Sequence, residues 1–375
     1  MTGTVRLILL TLLLCSGITP HHAAFAQDDA EQQPSTVTET QTDETDTAEN
    51  SDAQNSAPEN SDKDTAKTDK TETREEETSA KTDEKETGTE SVNPQTLDYI
   101  GDMIVHKTSY DDTLIDLARR NNLGFVEIRA ANPFIDPWLP GENVEIVLPT
   151  RHLFPDSPHE GIIINLPEMR LFVFPADGTS APFSYPIGVG RVGLETPIGT
   201  TKVRAKTIGP IWRPTDRMRE EDPDLPEMVR PGPRNPLGTH ALYLGWPEYA
   251  IHGTNKPFGI GRRISSGCIR LYPEDIVKLY DKIAVDTPVA VVNQPVKAGW
   301  IDDTFYVEAH PSLTQSDKVE ENGGIPSFEF EDRDMKLIIR KAGKYADDLN
   351  WHKIRQIVRE RRGYPVAVMA KDNAK

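Results

Sequence analysis

A long acidic, low-complexity segment limits which parts of this 375-residue chain can form a folded core. Residues 27–95 contain 21 Asp and Glu against six Lys and Arg, and so carry −15 of the chain's net charge of −18. Thr, Ser, Asn, Gln and Ala fill most of the remainder, with almost no aromatic or branched apolar residue. Such a composition cannot bury enough apolar surface to offset the entropy of ordering. We therefore predict a disordered linker at 27–95, acting as a flexible spacer, and folded domains only after it.

The first 26 residues have the pattern of a secretory signal peptide. Arg6 supplies a positive start, residues 7–14 form a short apolar core, and Ala24-Phe25-Ala26 is an A-x-A-type cleavage site. The apolar core is too short to span a bilayer as a mature helix. We predict that residues 1–26 are removed and that the mature protein is exported to the periplasm.

Cys268 is the only cysteine that remains once residues 1–26 are removed. The other, Cys15, leaves lipidation as an alternative, although the bulky Leu14 before it does not suit that modification. Exported chains normally use cysteines in pairs, as disulfides, and a single thiol in an oxidising compartment is exposed to oxidation. A lone cysteine therefore calls for a chemical role, against the alternative of a buried inert thiol.

The segment around Cys268 supplies residues for such a role. From Ile251 to Ile276 it reads I-H-G-T-N-K-P-F-G-I-G-R-R-I-S-S-G-C-I-R-L-Y-P-E-D-I, and His252 lies 16 residues before the cysteine. An imidazole can take the thiol proton, and the ion pair that forms lowers the thiol pKa. Gly267 suits a tight turn in which the N–H groups of Gly267 and Cys268 point at a developing oxyanion.

This run resembles the signature of the L,D-transpeptidase (YkuD-type) catalytic domain, a histidine in I-H-G-T followed by S-x-G-C-I-R-L. The segments Y-P-I-G-V-G and E-T-P-I-G-T-T resemble the same family, so the likeness covers most of residues 159–293. The resemblance implies that Cys268 is the acyl-enzyme nucleophile, that His252 is its base, and that the carbonyl of Gly253 orients the histidine. Family members commonly have a histidine where this chain has Ser266.

The other candidate site residues lie in the same run. Four are assigned to the oxyanion or to substrate binding: Ser265, Ser266, Gly267 and Asn255. Arg270 is suited to hold a substrate carboxylate in bidentate fashion, the alternative being a structural ion pair with Glu274 or Asp275. Four histidines outside the run lack the spacing of metal ligands, namely His106, His240, His310 and His352, and no metal and no cofactor is predicted.

The sequence pattern of residues 102–149 predicts a small α+β unit. The pattern indicates a strand at 103–105, a helix at 112–120 capped by Asp111 or Asp112, a helix at 125–131 and a strand at 144–148. This βααβ order, with D-D-T-L, L-A-R, A-N-P and L-P-G-E, resembles a lysin-motif (LysM) domain. Such domains bind glycans that contain N-acetylglucosamine. The alternative is that the unit only positions the domain that follows.

Residues 159–293 contain many short strands punctuated by Gly and Pro, which predicts a mostly β, sandwich-like catalytic domain. Residues 162–165 and 171–174 predict a hairpin, and residues 249–251 a strand that delivers His252. Further strands are predicted at 183–189, 199–207, 241–244 and 289–292. One clear helix, at 273–283, is expected to contact the core through Ile276, Val277, Leu279 and Tyr280.

Two segments are less regular. Residues 209–238 form either a lid over the cleft, with Trp212 or Met228 as apolar cover, or an ordered surface excursion. In the C-terminal extension, 295–375, the pattern suggests a strand at 335–340 and an amphipathic helix at 351–362. The arginines of that helix face solvent or, alternatively, an anionic glycan or lipid; they are Arg355, Arg359, Arg361 and Arg362.

These features together predict an exported peptidoglycan L,D-transpeptidase. The resemblance implies that the Cys268 thiolate attacks the L,D-peptide bond of a tetrapeptide stem, forms a thioester, and passes the acyl group to an amine of another stem or to a lysine of a wall-linked lipoprotein. Carbapenems are the expected covalent inhibitors. Two alternatives stay open: a carboxypeptidase or hydrolase of the same bonds, and a non-catalytic wall-binding protein. The folded part is only weakly acidic, so no nucleic-acid partner is predicted.

Overall fold

The structure is a computed structural model that describes residues 97–325 and 330–373. The predicted signal peptide and the predicted acidic linker lie outside these residues, so both remain predictions. No helix within the described ranges is long and apolar enough to cross a membrane.

Residues 99–153 form a small unit in which two helices pack against paired strands. Its elements are β1 (Tyr99–Ile100), β2 (Ile104–Lys107), α1 (Leu114–Arg120), α2 (Phe125–Ala131), β3 (Glu145–Leu148) and β4 (His152–Leu153). Strand β2 pairs antiparallel with β3, and β1 with β4. Both helices and β3 contribute to one apolar cluster, which includes Leu114, Leu117, Ile128 and Ile146. The order strand, helix, helix, strand is the predicted one, while the likeness to a LysM domain stays a prediction.

Helix α1 is capped by Thr113, whose Oγ1 accepts a hydrogen bond from the N–H of Asp116 at 3.1 Å. The prediction of Asp111 or Asp112 as the cap is wrong. Asp112 instead accepts a hydrogen bond from the N–H of Ser109 at 2.8 Å, because its side chain closes the turn that leads into the helix.

Residues 159–293 are built on one eight-stranded mixed sheet. Their elements are β5 (Gly161–Asn165), β6 (Arg170–Phe174), β7 (Phe183–Pro186), β8 (Val189–Gly190), β9 (Gly199–Ile208), α3 (Asp216–Glu221), β10 (His240–Leu244), β11 (Ala250–His252), β12 (Arg263–Ser265), β13 (Ile269–Arg270), α4 (Pro273–Lys282) and β14 (Pro288–Val292). The strand order is β13-β11-β10-β9-β14-β5-β6-β7, and β8 pairs separately with β12. The prediction of a mostly β domain is confirmed, but the strands form one curled sheet rather than a two-layered sandwich.

Strand β5 is buried at every position, because both faces of the sheet are covered. Ile162 and Ile164 point into the main core, while Ile163 joins a second cluster with Phe154 and Phe172. An unbroken apolar run is typical of such a strand, since alternation appears only where one face meets water. Strands β5 and β6 pair antiparallel, which confirms the predicted hairpin.

Helix α4 packs on this sheet through Ile276 and Leu279, both fully buried, and through the partly buried Tyr280. Val277 is 39% exposed, so its predicted core contact is wrong. Each residue of an α-helix is rotated by about 100° from the one before it, which turns Val277 away from the sheet.

The segment 209–238 is ordered by its own polar contacts. Trp212 and Val229 exchange two backbone hydrogen bonds of 3.0 and 2.9 Å. Asn235 is fully buried, and its amide donates to the carbonyl of Pro210 at 2.7 Å. These contacts favour the alternative of an ordered excursion held by its own packing.

The C-terminal extension pairs a three-stranded sheet with three helices. Its elements are β15 (Val296–Ile301), β16 (Thr304–Ala309), α5 (Leu313–Asn322), α6 (Asp332–Ala342), α7 (Trp351–Glu360) and β17 (Val366–Ala370), with sheet order β15-β16-β17. The prediction of a strand at 335–340 is wrong, because these residues lie in α6. The buried residues of α6 are Asp334, Ile338 and Ala342, which follow one another at intervals of four, as expected for one face of a helix. The three adjacent apolar residues at 337–339 fit a strand equally well, so the sequence pattern did not reveal this helical period.

Helix α7 confirms the predicted amphipathic helix, with Ile354, Ile357 and Val358 on its buried face. The prediction that Arg361 faces solvent or an anionic ligand is wrong. Arg361 is fully buried and donates to the carbonyl of His310 at 2.8 Å, because the chain leaves the helix at this residue and turns inward.

A buried lysine joins the N-terminal unit, the mixed sheet and the C-terminal extension. Lys297 Nζ donates to the carbonyl of Leu153 at 2.7 Å and pairs with Glu168 at 2.7 Å and Glu308 at 2.8 Å. Ligand atoms of His152, Glu168 and Glu308 lie within 4.8 Å of one another, as metal ligands do. The Lys297 ammonium already pairs with both carboxylates, so this cluster is described as an ion-pair network.

The N-terminal end of α2 docks on the segment 253–267. The N–H groups of Phe125 and Val126 donate to the carbonyls of Ile260 and Gly261 at 3.3 and 3.1 Å. Gly261 has a φ of +74°, and a Cβ on it would lie 2.2 Å from the nitrogen of Phe125. A helix leaves its first N–H groups without partners inside the helix. Here two of them are satisfied by the segment that precedes Cys268.

Candidate active site

Two neighbouring strands bring the predicted nucleophile and base together. Strand β11 ends at His252 and pairs in parallel with β13, so that His252 lies opposite Arg270. Cys268 immediately precedes β13. The pairing of β11 with β13 therefore brings His252 and Cys268 to neighbouring strands, although 16 residues separate them in the sequence. His252 and Cys268 line the same cavity, of about 340 Å³.

His252 is held as a neutral imidazole. It is 3% exposed, and its Nδ1 lies 2.6 Å from the carbonyl oxygen of Gly253, where the resemblance implies an orienting group. Because a carbonyl oxygen only accepts, Nδ1 carries the proton and Nε2 is the nitrogen with a free lone pair. Burial lowers the pKa of His252 to about 4, and the positive charge of Arg270 acts in the same direction.

The Cys268 thiol is also held in its neutral form. Burial raises the pKa of Cys268, and this outweighs the hydrogen bond from the N–H of Ala250 and the nearby charge of Arg270, which both lower it. Its Sγ donates to the carbonyl of Glu248 at 3.3 Å. The expectation of an ion pair that lowers the thiol pKa is therefore wrong for the resting site, because burial disfavours the charged form of both partners.

The raised thiol pKa gives a testable pH dependence. The fraction of thiolate grows as the pH rises through the pKa, and only the thiolate reacts with alkylating agents. The rate constant for alkylation of Cys268 by iodoacetamide should thus be low at neutral pH and still be rising beyond about pH 9. Intact-mass measurements over a pH series, with Cys268→Ala as the blank, would check this. A rate that levels off below about pH 6 would instead indicate a thiolate–imidazolium pair at rest.

The turn that carries Cys268 is braced by its own hydrogen bonds. Ser265 Oγ donates to the carbonyl of Cys268 at 2.5 Å and accepts from the N–H of Gly267 at 3.2 Å. Thr196 Oγ1 donates to the carbonyl of Gly267 at 2.8 Å. Gly267 has a φ of +106°, and a Cβ on it would lie 2.8 Å from the Tyr249 ring. A glycine is therefore required at this position.

These hydrogen bonds assign different roles to the residues of the turn that carries Cys268. The N–H of Gly267 is already used by Ser265, so the N–H of Cys268 is left as the candidate donor to an oxyanion. Ser265 is 1% exposed, which places it as a support of the turn. Ser266 is half-buried and lies at the wall of the cavity.

Arg270 reaches the cavity without an acidic partner among the described residues. Its Nε is buried and makes no hydrogen bond in that part of the chain, and burial lowers its pKa. The two acids considered as ion-pair partners are engaged elsewhere, Glu274 with Arg119 at 2.8 Å and Asp275 with Lys278 at 3.3 Å. The alternative of a structural ion pair is therefore wrong, and the guanidinium is left to meet a ligand.

Asn255 is not brought to the site. Its Nδ2 donates to the carbonyl of Arg234 at 3.1 Å, and the residue is absent from the lining of both cavities at Cys268. The structure gives no support for its assignment to substrate binding.

Cys268 also lines a second cavity, of about 540 Å³. Trp212, Thr215 and Met218 belong to the walls of both cavities, so the segment 209–238 forms their common boundary. Trp212 is one of the two residues that the sequence suggests as apolar cover for the cleft. Met228 lines neither cavity, and Met218 occupies the place expected for it.

Sequence reasoning also missed Glu248 and Tyr249, which line both cavities. Glu248 has a φ of +67°, and its carbonyl receives the thiol hydrogen bond. The only signal in the sequence is Pro247 just before it, a residue typical of turns, directly ahead of the strand that ends in His252. Taken together, the geometry defines a cysteine–histidine site suited to covalent catalysis by a thiol.

This chain is similar to L,D-transpeptidases over most of that region. A family model described as the L,D-transpeptidase catalytic domain matches residues 159–291. The chain is 44% identical over 206 residues to the probable L,D-transpeptidase YbiS of Escherichia coli strain K12, covering 53% of this chain and 67% of YbiS. It is 38% identical over 268 residues to the probable L,D-transpeptidase ErfK/SrfK of Salmonella typhimurium, covering 68% of this chain and 82% of that protein. The chain belongs to the L,D-transpeptidase family.

Solved L,D-transpeptidases are more distant. The enzyme from Mycobacterium smegmatis gives a TM-score of 0.29 at 19% identity and covers 51% of this chain and 91% of its own. A mutant of the Enterococcus faecium enzyme gives 0.28 at 20% identity and covers 39% of this chain. The match spans 55% of the length of that E. faecium chain.

Proposed function

We propose that this protein is an exported peptidoglycan L,D-transpeptidase in which Cys268 is the nucleophile and His252 the base. The observation that carries the proposal is the placement of a thiol and a neutral imidazole, with Nε2 free, in one cavity of a chain of this family. The Gly253 carbonyl fixes the imidazole tautomer. Export to the periplasm is supported by the signal-like residues 1–26.

The first half-reaction forms the acyl-enzyme. His252 Nε2 takes the thiol proton as Sγ bonds to the carbonyl carbon between the third residue and the terminal D-residue of a tetrapeptide stem. The carbonyl electron pair moves onto oxygen, where the N–H of Cys268 stabilises it. Collapse of this intermediate expels the amine of the D-residue, which takes the proton from the imidazolium. Arg270 holds a carboxylate of the donor. A thioester on Cys268 remains.

The second half-reaction transfers the acyl group. An acceptor amine attacks the thioester and loses its proton to His252, and the departing sulfur takes that proton back. An amine of another stem gives a cross-link, a lysine of a wall-linked lipoprotein gives an attachment, and water gives hydrolysis. Two cavities that share Cys268 offer space for a donor and an acceptor at once, which favours transfer over hydrolysis.

Mass analysis of products tests this proposal. The purified protein, kept reduced, is incubated with a tetrapeptide muropeptide beside a Cys268→Ala variant of equal melting temperature. Dimers that require Cys268 would establish cross-linking. Tripeptide alone would indicate hydrolysis or a missing acceptor, which is then supplied as a lysine-bearing lipoprotein. No Cys268-dependent product from a folded protein, and no carbapenem adduct on Cys268, would leave only the wall-binding alternative.

We further propose the domain division 1–26 signal, 27–95 linker, 102–149 LysM-like unit, 159–293 catalytic domain and 295–375 extension. Glycan binding by the LysM-like unit is favoured by three aromatic side chains that it leaves exposed. Tyr110 is 87%, Phe134 88% and Trp138 60% exposed, although aromatic side chains are usually largely buried. Rings presented this way suit stacking on the apolar faces of sugars.

Co-sedimentation with purified peptidoglycan would test the glycan surface. The substitution Trp138→Ala should weaken binding about tenfold if the ring stacks on a sugar. Phe258→Ala is the control, because Phe258 is 64% exposed but lies in residues 159–293. Equal binding by both variants would show that this unit only positions its neighbour.

A further inference from the structure

The second cavity at Cys268, of about 540 Å³, has polar groups that the first cavity lacks. His252 and Arg270 line the first cavity and not the second. Tyr243 lines the second and not the first, and Glu248 lines both. Since the proposed function places a carboxylate of the donor at Arg270, the second cavity is left for the acceptor. The groups that it offers near Cys268 then decide which acceptors are used.

The strand register places Tyr243 and Cys268 on either side of Ala250. Tyr243 of β10 lies opposite Ala250 of β11. Strand β11 pairs in parallel with β13 and sets Ile251 opposite Ile269, so one residue earlier Ala250 stands opposite Cys268. Side chains alternate along a strand, and Ile251 lies in the main core, so Ala250 and Tyr243 face the cavity on the other side of the sheet. The small methyl group of Ala250 leaves room for the tyrosine ring between them.

The Tyr243 hydroxyl is left to meet a ligand in this cavity. The residue is half-buried, and its hydroxyl makes no hydrogen bond with the described residues. Burial raises the pKa of Tyr243, and the negative charge of a Cys268 thiolate acts in the same direction. The hydroxyl therefore stays protonated and lies within electrostatic reach of the sulfur. It offers both a proton and oxygen lone pairs to a group that approaches Cys268.

Glu248 supplies a negative charge beside the sulfur. Its side chain is exposed and has no ion pair in the described part of the chain. Burial raises the pKa of Cys268, and the charge of Glu248 adds to this rise. The cations of the second cavity, Arg204 and Arg213, are exposed and do not shift that pKa. A carboxylate at this place opposes the thiolate of the first half-reaction, but it favours a cation that approaches the thioester in the second.

We propose that Glu248 and Tyr243 form the acceptor-amine site, which selects a primary amine that arrives as an ammonium ion. This inference rests on the proposed function. The Glu248 carboxylate attracts the ammonium, which loses one proton to solvent and becomes a nucleophile. The Tyr243 oxygen accepts an N–H of this amine, so that the nitrogen lone pair faces the thioester carbon. As the C–N bond forms and the C–S bond breaks, a second proton passes to His252 and then to the sulfur.

The ratio of aminolysis to hydrolysis tests the proposal. The protein is incubated with a tetrapeptide muropeptide and an added amine, and the tripeptide–amine product and the free tripeptide are measured by mass. Both products come from the same thioester, so their ratio does not depend on the acylation rate or on the amount of folded protein. Two amines are compared, Nα-acetyl-lysine amide, which is cationic at neutral pH, and hydroxylamine, which is uncharged.

Two variants locate the acceptor-amine site. Glu248→Gln should lower the ratio about fivefold with the cationic amine and less than about twofold with hydroxylamine. Tyr243→Phe removes one hydrogen-bonding group and should lower the ratio about tenfold with both amines. The matched controls should leave the ratio unchanged; they are Glu220→Gln, exposed on α3 outside both cavities, and Tyr306→Phe, half-buried in the C-terminal extension.

A second measurement separates the charge of Glu248 from its shape. Because this carboxylate adds to the rise of the thiol pKa, Glu248→Gln should speed the alkylation of Cys268 by iodoacetamide at neutral pH while it slows aminolysis. A loss of both rates would indicate structural damage and overturn the role given to the charge. An equal fall of the ratio with both amines in Glu248→Gln, or the parent ratio in Tyr243→Phe, would also overturn the proposal.

Failure of this proposal is distinguishable from failure of the proposed function. If no tripeptide forms that depends on Cys268, the transpeptidase assignment fails and the acceptor-amine site falls with it. If tripeptide forms and the ratio is the same in the parent and in both variants, only the acceptor-amine site is excluded.

Discussion

Replacing His252 with Ala should lower kcat/KM for thioester formation by about 10²–10⁴ at neutral pH, the usual contribution of a positioned base. The Cys268 thiol is neutral at rest because burial raises its pKa, so attack requires a partner that removes the proton. The Nε2 of His252 is the ring nitrogen with a lone pair left to accept this proton, since Nδ1 donates to the Gly253 carbonyl. The rate of acylation by a carbapenem, followed by intact mass, measures the effect.

The pH profile distinguishes a lost base from a damaged fold. In His252→Ala, hydroxide can deprotonate the thiol, so the deficit should shrink as the pH rises through the thiol pKa. A misfolded site would keep the same deficit at every pH. His352→Ala is the control, because His352 is exposed on α7. A wild-type rate in His252→Ala at neutral pH would remove His252 from the mechanism.

Replacing Lys297 with Met should lower the free energy of unfolding by about 3–5 kcal/mol, because it leaves Glu168 and Glu308 buried without their cation. In the parent, burial alone would raise the pKa of Glu308, but Lys297 and the hydrogen bond with His310 lower it. Without the ammonium, burial raises the folded pKa of Glu308 above its unfolded value. A group with a raised folded pKa loses its stability contribution as the pH rises.

The deficit of Lys297→Met should therefore be larger at about pH 8 than at about pH 5. Guanidinium unfolding followed by tryptophan fluorescence at the two pH values measures it. Lys318→Met is the control, because its pair with Glu321 is exposed to solvent and exposed pairs contribute little to stability. A pH-independent deficit of under about 1 kcal/mol in Lys297→Met would contradict a charge-balancing role.

Local patterns predicted the elements that depend on local sequence. The apolar run of β5, the proline at the start of α4 and the spacing of Ile354, Ile357 and Val358 each placed an element correctly. The prediction for residues 337–339 was wrong, because three adjacent apolar residues fit a strand as well as a helix. Only the structure shows that Ile338 is the buried one of the three, as the periodicity of a helix requires. The single curled sheet could not be predicted from local sequence patterns either, since the order of its strands depends on contacts between residues that are distant in the sequence.

The residues of the candidate site also divide into those that a local motif predicts and those that only the structure places there. His252, Gly253, Cys268 and Arg270 lie in one motif, and the pairing of β11 with β13 brings them together as expected. Trp212 and Met218 arrive from a segment about fifty residues away, and no local pattern places Met218 there. The charge state of the thiol also required the structure, because burial and not the neighbouring imidazole sets its pKa.

The docking of α2 on Ile260 and Gly261 has a consequence for the modularity of this chain. The family model begins at residue 159, yet the backbone that leads to the nucleophile is completed by hydrogen bonds from residues 125 and 126. Recombining the segment 159–291 with a foreign partner would leave the carbonyls of Ile260 and Gly261 without these two donors. The unit that folds together is therefore longer than the segment that the family model matches, and an exchange of domains would have to carry the N-terminal unit along.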